Sequence, residues 1–306
     1  MASSSFTYTA TQILSRLPVL IACVVLLQSS KCGQPTGTGR SSATSTEKLP
    51  YNIEEPALVI SLANDELKEI SGLSPTDTPG VYCAIADERG EIFFINAEKA
   101  GTVTRRVLFK DKGDFESIEM VGKALYALKS NGTLFEIVHW QEGVDKMEMQ
   151  EYKTPLTEND LEGMCYDAKR NALLFATKED PLNDVSRKIY AFSLKTKALD
   201  PNPVYTIDPK EVNKILPYDL VEKQHYFSPS GIAIHPKTKE VYVISTALKR
   251  LLILNPETGA IKLVVRLDKG LLPQPEGIAF DAQGNLFLSS EGKKHEGLLL
   301  KFNYIP

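Results

Sequence analysis

The chain has 306 residues, of which 42% are hydrophobic and 24% charged, and its formal net charge is −4. This supplies ample material for a core and argues against a nucleic-acid surface, where Lys and Arg would cluster. Beyond the first fifty residues no apolar run reaches the 18 residues a membrane helix needs, so no span is expected in the body.

Residues 1–32 read as an export signal. Arg16 is the only charge before an apolar run from Leu17 to Leu27, which is short for a membrane span and suited to a signal core. Cys32 follows, and then residues 33–51, largely Gly, Ser and Thr, with too little apolar surface to order themselves: a flexible tether. Signal, cysteine and tether in this order resemble a bacterial lipoprotein with Cys32 lipidated. Lys31 departs from the small residue expected before the cysteine. Cys23, after Leu20-Ile21-Ala22, fits better as letters but leaves a short core and strands Val24–Leu27 on the mature end. A plain secretory signal is the alternative. The mature body then holds Cys83 and Cys165, both in apolar runs, where small buried hydrophobes are the default and a disulfide the lesser reading.

The body is read as short strands separated by polar turns. A lone strand, Pro56–Ala63, precedes the stretch Ile70-Ser71-Gly72, and strands Val81–Ala86, Glu91–Asn96 and Thr102–Phe109 follow it. Phe115-Glu116-Ser117 leads to Ala124–Leu128, Thr133–Val138 and Lys146–Tyr152, with Asn131-Gly132 as a hairpin turn. Leu161-Glu162-Gly163 leads to Ala172–Thr177, Lys188–Leu194 and Pro203–Ile207. Residues 208–227 break the rhythm as an irregular helical insertion, with Asp208 as cap and Pro209 in the first turn. Ser230-Gly231 leads to Glu240–Ser245, Arg250–Asn255 and Ala260–Leu267; Glu276-Gly277 leads to Asn285–Ser290 and Gly297–Asn303.

The second positions of these five entrances are 72, 117, 163, 231 and 277, so the gaps are 45, 46, 68 and 46, and the long gap holds the insertion. Four short strands per repeat of about 45 residues is the pattern of a propeller blade. The fold expected is all-β: a five-bladed β-propeller of four-stranded antiparallel blades over residues 52–306. The last blade is one strand short, and the N-terminal strand Pro56–Ala63 is placed to close it and leave no open edge. A double-sheet sandwich needs no such period and is the weaker alternative.

The Ser/Glu-Gly-Ile-Ala entrances, followed in the last blade by Asp281-Ala282-Gln283-Gly284-Asn285-Leu286-Phe287-Leu288, resemble NHL repeats. The body as a whole is more similar to the SdiA-regulated family of bacterial envelope propellers. The residues that carry this are Glu162-Gly163-Met164-Cys165-Tyr166-Asp167, Pro229–Pro236 and Pro275–Asp281. The resemblance implies a five-bladed propeller that binds calcium, exported to the cell envelope (periplasm or outer membrane), and it implies no particular reaction.

First strands line a propeller channel, so Ser71, Glu116, Glu162, Ser230 and Glu276 should face one another around one rim. Three converging carboxylates repel and take up protons unless a cation joins them. Oxygen-only ligands select a hard ion, and a flexible ring of Glu, Ser, carbonyl and water oxygens suits Ca2+ better than Mg2+. The bland reading is ion pairing by Lys129 and Lys178, which return to the same rim beside Glu291. The insertion, with Tyr218, His225, Tyr226 and Phe227, is a candidate wall over that rim. The scattered histidines form no zinc motif, and there is no nucleophile elbow, Walker loop or GxGxxG. His235 and Trp140 read as packing residues.

Three functions compete. The first is a monomeric calcium-binding envelope module that holds a protein, glycan or small ligand and meets the membrane through its lipid alone. The second is a metal-dependent hydrolase of lactonase or phosphoesterase type. The third is a structural propeller without an ion.

Overall fold

A computed structural model describes residues 48–306 except 157–159, 218–224 and 293–294, and of Val144 only the backbone. The export signal, Cys23, Cys32, the tether up to residue 47 and Tyr218 lie outside the described residues.

The expected circle closes. Blade 1 is β2 (Ile70–Pro75), β3 (Val81–Ala86), β4 (Gly90–Asn96) and β5 (Thr102–Lys110). Blade 2 is β6 (Phe115–Val121), β7 (Ala124–Lys129), β8 (Thr133–Val138) and β9 (Glu148–Lys153). Blade 3 is β10 (Leu161–Asp167), β11 (Ala172–Thr177) and β12 (Arg187–Ser193), and its outer strand is split into β13 (Ala198–Leu199) and β14 (Tyr205–Ile207). Blade 4 is β15 (Gly231–Ile234), β16 (Val241–Ser245), β17 (Arg250–Leu254) and β18 (Ile261–Arg266). Blade 5 is β19 (Pro275–Phe280), β20 (Leu286–Ser290) and β21 (Gly297–Phe302), and β1 (Leu58–Leu62) pairs antiparallel with β21 as its outermost strand. The ring is therefore fastened by joining the N-terminal strand to the C-terminal one.

Burial explains the residue choice. Middle strands have a blade on either side, and β11, β16, β17 and β20 are buried throughout. Such strands read as continuous apolar runs rather than alternating ones. Outer strands β5 and β9 are exposed or half-buried along nearly their whole length and carry Thr, Arg, Glu, Gln and Lys, which discourage edge pairing with another chain. Between blades the core is aromatic and aliphatic, as with Tyr152 against Phe192 and Tyr82 against Phe287. The innermost strands follow one another around the axis in the order β2, β6, β10, β15, β19 and back to β2.

Helix α1 spans Pro209–Ile215, with the Asp208 side chain accepting from the Lys210 amide. It packs on β18, the outer strand of blade 4, and Arg266 at the end of β18 reaches the Pro217 carbonyl at 2.9 Å. The helix thus sits at the edge of the disc and does not wall the axis, because its apolar residue Val212 joins the core between blades 3 and 4. Among the described residues of the insertion, the segment from His225 on returns to blade 3, the Tyr226 amide donating to the Pro181 carbonyl at 2.7 Å. Cys83 and Cys165 are buried and unpaired, so the disulfide is not formed. Trp140 stacks on Phe94, and His235 packs against Tyr304 and Phe280, both as packing residues.

Candidate functional site at the acidic end of the channel

One local irregularity recurs where the inner strands begin. In blade 1 Ile70 pairs with Ala86 and Gly72 with Ile85, so Ser71 is an extra residue. In blade 2 Phe115 pairs with Lys129 and Ser117 with Leu128, leaving out Glu116. In blade 3 Leu161 pairs with Thr177 and Gly163 with Ala176, leaving out Glu162. In blade 5 the shift falls between Pro275 and Ile278, at Glu276 and Gly277. A β-bulge bends its strand and re-aims one side chain. Here it turns the side chain off the packed blade face.

The entrances meet one another at close range. A Cβ on Gly231 would lie 2.4 Å from the Glu276 carbonyl oxygen, and one on Gly72 would lie 2.8 Å from Ser117 Cα. Only glycine permits this approach. Hydroxyls stitch the same ring: Ser117 Oγ accepts from the Met164 amide at 3.1 Å, and Ser230 Oγ donates to the Pro275 carbonyl at 2.7 Å. Ser71 Oγ donates to the Glu69 carbonyl at 3.1 Å.

The carboxyls are crowded and poorly hydrated. Burial, then the nearby Glu162 and Asp114, push Glu116 up to about 9. Burial pushes Glu162 up to about 7 against the pull of the Lys178 ammonium, with which it is ion-paired. Burial, Glu162 and Glu291 raise Glu276 well above the carboxylate range. Glu291 is pushed to about 7 by burial and by Asp87, Glu69 and Glu162, and Gln274 donates to it. Asp87 goes to about 6, through burial and Glu69. Lys178 also lies 4.0 Å from Asp160. Lys129 lies 5.8 Å over the Phe115 ring and makes no ion pair among the described residues. Tyr226 stands at the rim of blade 3, its amide donating to the Pro181 carbonyl at 2.7 Å.

Sequence reasoning missed four members of this cluster: Glu69, Asp87, Asp114 and Asp160. Three of them were within reach, because an acid stands two residues before the bulged position in Glu69-Ile70-Ser71, Asp114-Phe115-Glu116 and Asp160-Leu161-Glu162. Beside blade 1 a cavity of about 270 Å3 opens, lined by Glu69, Ala86, Asp87, Glu88 and Phe93 among others. Asp87 Oδ1 is buried there without a hydrogen-bond partner.

The donor set is all oxygen, which fits a hard cation in chemistry. Among the described residues, no three His, Cys, Asp or Glu side chains are grouped closely enough to hold an ion by themselves. Glu162 is the carboxyl that feels both Glu116 and Glu276. A cation would therefore rest on Glu162 with one of these two, and would have to take the place of Lys178.

These features define a five-bladed propeller with one strongly acidic channel end. The SdiA-regulated family model matches residues 47–294, and the chain belongs to the SdiA-regulated family. No curated protein matches the chain. Among solved structures, glutaminyl cyclase of Myxococcus xanthus aligns with a TM-score of 0.54 at 15% identity, over 82% of this chain and 97% of that one. A nidogen/laminin complex aligns at 0.49 and 16% identity, over 75% and 74%. The PQQ-bound aldose sugar dehydrogenase of Streptomyces coelicolor aligns at 0.48 and 13%, over 81% and 97%. The first likeness supports the fold alone.

Proposed function

We propose that the protein is a hydrolase of neutral carbonyl esters, of lactone type, working at the acidic end of the channel. The observation that carries this is Glu291, a half-buried carboxyl at the rim whose proton affinity lies near 7, beside Glu162, Glu276 and Lys178. A binding module has no need of a proton-transfer group poised at neutral pH; a hydrolase does. Glu291 would take a proton from the attacking water and return it to the leaving alkoxide. Lys178, freed from Glu162, would face the developing oxyanion. The ring of carboxyls repels a phosphoester dianion and admits an uncharged ester, which places lactones before phosphoesters. A divalent cation, calcium on the family resemblance, would rest on Glu162 with Glu116 or Glu276 and would polarise the carbonyl oxygen.

A panel of lactones and phosphoesters, assayed with calcium and with chelator, tests this. Glu291→Gln should lower kcat by roughly 10²–10⁴-fold, the range of a general acid–base. The second reading, a calcium-binding module for a protein, glycan or small ligand, is favoured by the mutual crowding of Glu116, Glu162 and Glu276. Absence of hydrolysis together with a calcium-dependent rise in Tm would select it, since only an ion bound by the native state raises Tm. Absence of both leaves a structural propeller. The family association suggests a bacterial envelope setting, with Cys32 as lipid anchor. Cys32→Ser should then move the protein from the membrane fraction to the soluble one.

A further inference from the structure

Arg187 opens β12 and is fully buried, and among the described residues no carboxylate forms an ion pair with its guanidinium. Its Nε donates to the Phe227 carbonyl at 2.7 Å. One terminal nitrogen donates to the Val185 carbonyl and to Asn183 Oδ1 at 3.3 Å. The other donates to the carbonyls of Asp180 at 3.2 Å and Asn183 at 2.9 Å. Five N–H groups thus meet five acceptors, four of them main chain, in two segments 40 residues apart. The planar fork of arginine suits such a task, and lysine cannot reproduce it.

The two segments are the loop 178–187 and the chain returning at 226–228. Further bonds cross the same seam. Ser228 Oγ donates to the carbonyls of Lys178 and, at 2.8 Å, Glu179. The Tyr226 amide donates to the Pro181 carbonyl at 2.7 Å. Glu179 is held at φ +57°, a left-handed conformation that costs a non-glycine residue energy and persists only where the surroundings impose it. That turn directly follows Lys178, whose amide is fixed to the Asp160 carbonyl at 2.7 Å.

We infer that Arg187 is a positioning residue: it clamps loop 178–187 to Phe227 and thereby holds the Lys178 ammonium against Glu162 at the channel end. The inference rests on that end being the working one, and it adds a residue that touches neither carboxyl. Arg187 acts mainly through main-chain carbonyls. Its loss lets the left-handed turn relax, and Lys178 swings out to solvent.

Amine-selective acylation of the intact folded protein, read by mass spectrometry, tests this without reference to any activity. Lys178 should label slowly in the wild type. In Arg187→Met its rate should rise about tenfold, as for a drop of one unit in the pKa of the amine. Lys197, paired with Glu136 at 2.7 Å, serves as the internal control and should not change. Ser228→Ala removes part of the clamp and should give a smaller rise. Arg187→Lys should fail to restore slow labelling. An unchanged Lys178 rate in folded Arg187→Met overturns the inference. If that variant does not fold, an unchanged rate in Ser228→Ala overturns it. Hydrolysis assays on the same proteins then judge the functional reading separately.

Discussion

Glu136 and Glu116 belong to the same blade and live under opposite rules. Glu136 accepts from Tyr126 and Tyr152 at 2.7 and 2.8 Å and from Lys197 at 2.7 Å. Burial works against its charge, but these donors outweigh it and hold the carboxyl below its usual range. Glu116 has neighbouring acids instead of donors and is pushed up to about 9. Glu136 is matched with partners across strands, and its charge strengthens the fold. At the channel end the bulges gather acids faster than the chain supplies cations. The crowding weakens the fold, which is what a site held ready for a ligand or a proton requires.

Gly231→Ala attacks the geometry that brings the acids together. The new Cβ meets the Glu276 carbonyl, and a loss of about 3 kcal/mol in chemical denaturation is expected from overpacking against main chain. Glu136→Gln removes charge from a well-donated carboxylate and should destabilise by about 2 kcal/mol at pH 7. Lys178→Met should cost about 1–2 kcal/mol at pH 8, tempered by the exposure of the lysine, and almost nothing at pH 5, where Glu162 carries a proton. Glu116→Gln should do the reverse of Glu136→Gln and stabilise by about 1 kcal/mol at pH 8, because folding at that pH must protonate Glu116, and glutamine is neutral already. An equal sign for the two glutamine variants would erase the contrast.

The pH dependence follows from the same groups. A carboxyl raised in the folded state binds protons more tightly there than in the unfolded chain, so its contribution is complete below its ordinary value of 4.5 and fades as pH climbs through the folded value. Tm without divalent ions should therefore decline from about pH 5 towards pH 9. Glu116→Gln should flatten that decline.

The ring was legible because a repeat of about 45 residues and continuous apolar runs are properties of regular, doubly buried strands. Strands Val81–Ala86, Thr133–Val138 and Ala172–Thr177 fall where the residue pattern puts them. The residue pattern gives the outer strand of blade 3 as one piece, Pro203–Ile207, and the structure has two, since an edge strand has only one neighbour to keep its register. The entrances were visible as Glu-Gly and Ser-Gly pairs, but the bulge that aims Glu116 and Glu162 is a departure from periodicity, and periodicity cannot announce it. Asp87 was out of reach altogether. It joins Glu69 only through the pairing of β2 with β3, and a lone Asp after a strand reads as a turn. Arg187 opens a strand like many solvent-facing arginines, and its burial depends on a segment 40 residues away.

The most direct test is an NMR titration of the glutamate side-chain carbonyls in the calcium-free protein, with Glu116 assigned through Glu116→Gln. The account predicts a Glu116 midpoint near 9 and a Glu136 midpoint below the ordinary carboxylate value. Midpoints for both between 4 and 5, in the usual range for glutamate, would contradict it.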